Sequence, residues 1–234
     1  MEEYCERIWQ LYEAVSEDAP AIADVKKGYG GEEVENLLDR MKAHADATRK
    51  TGREVVFLPF RASAWEGFEP VWRKFHLDPE YNVSVIPIPY YYKKWDGSIG
   101  RMHFDGDQYP DDVPITDYRS YDFKNHQPKM IFIQNPYDEW NLTTSVPPFF
   151  YASNLKRFTD RLIYIPYFTL DENEPDDPKA AVHRRYYMAV PGVVQSDLVI
   201  VQSERMRMSY IDFLTGFAGK DTRAIWEEKI ISQA

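Results

Sequence analysis

The chain holds a single cysteine, Cys5, which excludes an intramolecular disulfide and suits a reducing compartment. Cys5 lies in an amphipathic stretch, where a packed thiol is expected rather than a nucleophile. Glycine is scarce, at 11 of 234 residues, and neither a Gly-x-Gly-x-x-Gly nor a Walker loop follows the first apolar run. A dinucleotide pyrophosphate therefore lacks its usual cradle. No stretch approaches the ~18 consecutive apolar residues of a membrane span, so no transmembrane segment is expected. The opening Met1-Glu2-Glu3-Tyr4-Cys5-Glu6 has no apolar signal-peptide core, and a cytoplasmic location is expected. A basic surplus is also missing: 38 acidic residues face 28 basic ones, for a net charge of −10. That balance argues against nucleic acid or an anionic membrane as a general partner, while leaving room for one local phosphate pocket. His44, His76, His103, His126 and His183 show no His-x-x-x-His pairing, so neither a metal site nor a metal cofactor is expected.

Against these absences stands a repeated pattern. Val55-Val56-Phe57-Leu58 runs into Pro59-Phe60, Val83 to Ile88 into Pro89-Tyr90, Met130 to Asn135 into Pro136-Tyr137, and Leu162 to Ile165 into Pro166-Tyr167. Short runs rich in Val and Ile mark strands buried on both faces. Proline lacks an N–H and ends the pairing, so each aromatic falls at a strand's carboxyl end, the edge where open parallel sheets bind ligands.

At 44% hydrophobic and 15% aromatic, the chain fills one domain with an appendage. Residues 1–50 read as helices: Ile8, Leu11, Tyr12 and Val15, then Val34, Leu37, Leu38, Met41 and Ala45, recur at helical spacing. From Arg53 strands alternate with helices: Glu54 to Leu58, Val83 to Ile88, Met130 to Gln134, Leu162 to Ile165 and Leu198 to Gln202. Ser63 with Glu66 reads as a capping box opening the first helix, Asp177-Pro178 as a helix start, and Ser203 as the cap of a helix burying Met206, Tyr210, Phe213, Leu214 and Phe217. The alternation predicts an α/β fold, a Rossmann-like doubly wound parallel sheet of five to six strands over residues 51–219. Residues 90–128 interrupt it, and Asp96-Gly97 between Tyr91-to-Trp95 and Ile99-to-Phe104 signals a hairpin overhanging the carboxyl edge.

Candidate site residues gather at that edge. Arg61 and Ser63, at a helix start, suit a phosphate, with Ser63 as cap and Arg61 as solvated charge the competing reading. Phe60, Tyr90, Tyr91, Tyr137 and Tyr167 suit a sugar, polyol or nucleoside, or pack the sheet edge. Asn135 and Asp138 suit hydroxyl binding or proton removal, with Asx-type capping by Asp138 and Asn141 as the alternative. His103 is the best-placed histidine for a base, and Asp105-Gly106-Asp107 reads as a turn.

Val55 to Ser63, Asp107-Gln108-Tyr109-Pro110, Pro114-Ile115-Thr116-Asp117-Tyr118, Ile131 to Asp138, and Pro191 to Val194 with Ser196 to Glu204 carry a resemblance. In order and spacing they resemble the N-terminal half of the CDP-glycerol glycerophosphotransferase family, the teichoic-acid primases and polymerases with a GT-B fold. The resemblance implies an acceptor-side domain whose donor-binding C-terminal half is absent, with 220–234 as its lead-in. It implies cell-wall polymer or polysaccharide synthesis, on a small or polymeric acceptor bearing hydroxyl or phosphate groups. The family's His-Gly turn corresponds here to Gln134-Asn135-Pro136, without a histidine, which leaves Asp138 or His103 as candidate base. Two other readings stand beside it: a non-catalytic sugar- or nucleotide-binding domain, and an assembly module dimerising through its helical N-terminus.

Overall fold

The computed structural model describes residues 53–172 and 184–232. The chain divides into two compact units, Met1–Thr51 and Gly52–Ala234. The helices expected before that point, Cys5 and the start at Asp177-Pro178 lie outside the described residues.

Six parallel strands form the main sheet in the order β2-β1-β5-β7-β8-β9. They are β1 (Glu54–Leu58), β2 (Asn82–Val85), β5 (Met130–Ile133), β7 (Arg161–Tyr164), β8 (Leu198–Val201) and β9 (Ile230–Ser232). The hydrogen bonding of β2 to β1 continues past its end, with Ile86 N–H donating to Phe57 O at 2.9 Å and Ile88 N–H to Pro59 O at 3.1 Å. Pairing then stops, as the prolines require. The fold is α/β and Rossmann-like.

Alternate residues of each strand feed two cores, because side chains in a strand point to opposite faces. Val56, Leu58, Ile131, Ile133, Leu162, Tyr164, Val199 and Val201 share one core with α3 (Ala152–Leu155), α4 (Pro191–Gln195), α5 (Glu204–Ala218) and α6 (Arg223–Lys229). Val55, Phe57, Phe132, Ile163 and Ile165 face the other way, onto Trp65 of a 3₁₀ turn (Ala62–Gly67), Trp72 of α1 (Glu69–His76) and Phe68 between the two. Phe57 and Phe132 stack there at 4.5 Å between ring centroids. Helices on both faces make the sheet doubly wound.

A smaller antiparallel sheet, ordered β4-β3-β6, joins β3 (Tyr90–Lys93), β4 (Ile99–His103) and β6 (Thr144–Ser145). Gly97, at φ 81°, turns the hairpin, as Asp96-Gly97 predicts, because a left-handed turn position carries no steric cost for glycine. At the opposite, amino edge of the main sheet, the segment leading into α2 (Phe123–His126) is pinned by Glu54. Its carboxylate accepts from Tyr121 Oη at 2.8 Å and lies 3.1 Å from His126 Nδ1.

Two expectations are corrected. The first helix does not open on a Ser63 capping box. Ser63 is exposed within the 3₁₀ turn, no side chain caps that turn, and the α-helix starts at Glu69 with Pro70 in its first turn; proline's fixed φ and missing N–H suit that place. Phe217 does not join the buried face of α5: it is exposed, and Ile211 is buried in that face. Residues 220–232, where a lead-in is expected, take part in this domain's own fold. They form a 3₁₀ turn, α6 and β9, and β9 pairs with β8 from Val199↔Ile230 to Val201↔Ser232 as the sheet's sixth strand.

Candidate functional site

The chain leaves β1 for β2 on one side and then crosses to β5 on the other. Strand order therefore reverses between β1 and β5, and the carboxyl ends of that pair flank the position where open α/β sheets bind ligands. Phe60 and Arg61 follow β1 there, and Gln134 and Asn135 follow β5. Gln134 is fully buried. Its amide donates to Ala64 O at 2.8 Å and accepts from Phe60 N–H at 3.5 Å, tying the two strand ends together.

Arg61 is the centre of the group. Its guanidinium carbon lies 5.1 Å from the Phe60 ring, 5.1 Å from Tyr90 and 5.5 Å from Tyr92, within cation–π range of all three. Phe60 also packs on Tyr90 at 5.2 Å and on Tyr167 at 5.6 Å. His103 stacks on Tyr90 at 5.4 Å and meets Tyr92 edge-on at 5.0 Å, because Tyr90 and His103 are cross-strand partners. The hairpin thus brings His103 toward the strand ends, as the sequence predicts. The Arg61 Nε is buried and has no hydrogen-bond partner. A guanidinium whose faces rest on rings offers its N–H edge for in-plane pairing with a carboxylate or phosphate.

Asp105 supports this arrangement. One carboxylate oxygen accepts from Tyr90 Oη at 3.3 Å and the other from Ala62 N–H at 3.3 Å. Burial raises the Tyr90 hydroxyl's pKa, Asp105 reinforces that rise, and Arg61 opposes it. The Tyr167 hydroxyl is raised chiefly by burial, again with Arg61 opposing. The N–H group at the start of the turn, where a phosphate was expected beside Ser63, is thus engaged by an internal carboxylate. Ser63 points to solvent and drops out of the site.

The remaining candidates divide. Tyr91 pairs with Met102 and Ser145 and, alternating with Tyr90 and Tyr92 along β3, faces away from Arg61. Tyr137 is buried against Tyr186 at 5.6 Å, and burial with the neighbouring tyrosines raises its hydroxyl's pKa. Asn135 is buried next to it. Asp138 is also buried, at φ 47°, and its carboxylate accepts from Ala152 N–H at 2.7 Å, Ser153 N–H at 3.3 Å and Ser153 Oγ at 3.0 Å. It holds the start of α3. Asn141 likewise accepts from Thr143 and Thr144 N–H. The helix-capping alternative describes Asp138, whereas Asn141 closes an Asx turn leading into β6.

Tyr92, Asp105 and Gln134 were not singled out as site residues from the sequence. Two-residue alternation with Tyr90 is a signal for Tyr92. No local pattern marks Asp105 or Gln134, whose partners lie 43 and 70 residues away. Among the described residues there is no group of three or more His, Cys, Asp or Glu able to hold a metal ion, and no helix long and apolar enough to cross a membrane. No family model matches the chain, and no curated protein matches it.

Proposed function

We propose that this domain binds the acceptor of a transferase acting on an activated phosphate or sugar, of the kind the CDP-glycerol and GT-B resemblance implies, in cell-wall polymer or polysaccharide synthesis. The observation that carries the reading is Arg61, held over three aromatic rings at the strand-order reversal with its Nε unpartnered. Arg61 takes an anionic group of the acceptor, a phosphate in first place. Tyr92, exposed, and Tyr167, half-buried, present ring faces and hydroxyls to its carbon and hydroxyl portion, while the buried Phe60 and Tyr90 back the guanidinium. His103 takes the proton of the attacking hydroxyl as the new O–P or O–C bond forms, and the nucleotide departs with the electron pair of the bond that breaks. The donor is held by a partner domain.

Binding without transfer is the second reading. Its support is that Asp138, the other candidate base, is consumed in holding α3.

Calorimetric titration with glycerol 3-phosphate and with glycerol tests the proposal. Phosphate-dependent binding that Arg61→Gln removes is the expected result, and equal or absent binding of both compounds by the wild type refutes it. Phosphate-dependent binding that survives His103→Ala, without turnover by wild type supplied with CDP-glycerol and a donor-binding partner, selects the second reading.

A further inference from the structure

The far end of the small sheet carries the most exposed large apolar side chains near the hairpin. Trp95 is 99% exposed, Leu142 75%, Trp140 69% and Ile99 51%. They are neighbours through Lys93. The Lys93 backbone N–H donates to Thr143 O at 2.8 Å, and its ammonium donates to Glu139 O at 3.0 Å and Asn141 O at 2.6 Å. That clamp fixes the 139–143 loop, with Trp140 and Leu142, to the end of β3. Ile99 is the cross-strand partner of Lys93, and Trp95 lies two residues beyond it in the turn.

The turn is braced. Lys94 N–H donates to Ser98 O at 2.8 Å, Gly97 N–H to Lys94 O at 2.9 Å, and Ser98 N–H to Asp96 Oδ1 at 2.9 Å. Trp95 is thus presented on a hydrogen-bonded tip.

The geometry points to attachment of this tip to the headgroup region of a lipid bilayer, with Trp95, Trp140, Leu142 and Ile99 entering the interface. Indole rings prefer that layer, where an apolar body meets a wet edge. Side chains projecting from turns need a receiving surface that yields. A bilayer yields, whereas a protein partner needs a preformed pocket for each ring. The local charge agrees in sign: Lys93, Lys94 and Arg101 outnumber Asp96 and Glu139 in these segments, a small positive excess on a chain whose net charge is −10. Charges beyond about 8 Å are screened at physiological salt, so the tip responds to its own cations. This inference does not depend on the acceptor reading, since none of the four apolar residues contacts Arg61.

Sedimentation with vesicles of phosphatidylcholine alone, and of phosphatidylcholine mixed with phosphatidylglycerol, tests it on the full chain. Association with both is expected, roughly fivefold stronger with the anionic vesicles, the preference one excess charge gives. Lipids brominated in their acyl chains are expected to quench tryptophan fluorescence. Trp95→Ala is expected to weaken association about tenfold, as loss of one buried large apolar group implies. A residue 99% exposed is replaceable without unfolding the chain, which circular dichroism checks. No association of the wild type with either vesicle overturns the proposal, and so does undiminished association of Trp95→Ala and Trp140→Ala. A concentration-dependent dimer abolished by Trp95→Ala, without vesicle association, assigns the surface to a second copy and overturns it equally.

Discussion

The Tyr90 hydroxyl donates to Asp105 while the other oxygen of that carboxylate receives the Ala62 N–H, both at 3.3 Å. One side chain thereby couples the overhanging hairpin to the turn after β1, the two segments whose rings surround Arg61. Tyr90 lies under Arg61 because Asp105 holds its far end, and Arg61 starts the turn whose next N–H Asp105 also holds.

Asp105→Ala leaves a part-buried N–H and a tyrosine hydroxyl without their acceptor. Denaturant unfolding is expected to show a loss of about 1–3 kcal/mol. Anion binding at Arg61 is expected to weaken with it. Asp105→Asn retains one acceptor oxygen, and its new N–H faces a hydroxyl able to accept, so a smaller loss is expected. Equal stability of wild type and Asp105→Ala would remove Asp105 from this role.

Asp138 sets a pH dependence. Burial raises its carboxyl above the ordinary range, outweighing the N–H groups of Ala152 and Ser153 and the Ser153 hydroxyl, which pull the other way. With the folded pKa above the unfolded one, the folded state holds a proton that the unfolded state has released. The associated stability is fully present below the unfolded pKa, of about 4, and is lost as pH rises through the folded value. Asp138→Asn removes this titration. Asparagine tolerates the positive φ, so the backbone is kept. The stability difference between wild type and Asp138→Asn is expected to fall in the wild type's disfavour as pH rises through that window, measured by urea unfolding at a series of pH values. A difference independent of pH would contradict the raised pKa.

The strands were legible because a strand buried on both faces needs a short apolar run and because proline stops the pairing. β1, β5, β7 and β8 follow those signals to within about one or two residues, the usual uncertainty of element ends. The hairpin was legible because its turn demands a positive φ that Gly97 supplies. What failed was decided by distance along the chain. Ser63 and Glu66 have the spacing of a capping box, yet Asp105, 43 residues on, engages Ala62 instead. β9 has three residues directly after α6, too few to show a period, and only its pairing with β8 makes it a strand. Asp138 carries the residue type of a base, but Ala152 and Ser153 turn it into a cap.

Gly192 is expected to tolerate no side chain. Its N–H donates to Pro136 O at 2.7 Å, and a Cβ there would stand 2.5 Å from Pro136 Cα and 2.8 Å from Pro136 Cβ. Proline cannot rotate away, so α4 or the segment after β5 has to move. Gly192→Ala is expected to cost about 1–3 kcal/mol by denaturant unfolding, the range for overpacking a closed site. Because that segment carries Tyr137 and Asp138, the cost is expected to come with altered fluorescence or chemical shifts at the carboxyl edge. Stability matching the wild type would show that the contact relaxes freely.

Tyr164 gives a prediction of opposite sign. Its side chain is completely buried in the core on the α5 face, and its hydroxyl oxygen has no hydrogen-bond partner. Burial is the main cause of its raised pKa, with Tyr210, Tyr137 and Tyr167 adding to it, so the hydroxyl lies among other phenols without pairing to one. An unpaired hydroxyl in an apolar surround carries a desolvation cost of about 1–3 kcal/mol. Tyr164→Phe removes the hydroxyl and keeps the ring that packs against α5. The substitution is therefore expected to leave stability unchanged or to raise it by about 1 kcal/mol, where most core substitutions lower it. Urea unfolding of the two proteins measures the sign. A loss greater than about 1 kcal/mol would mean that the hydroxyl has a partner, a buried water or a ligand group reaching in from the carboxyl edge.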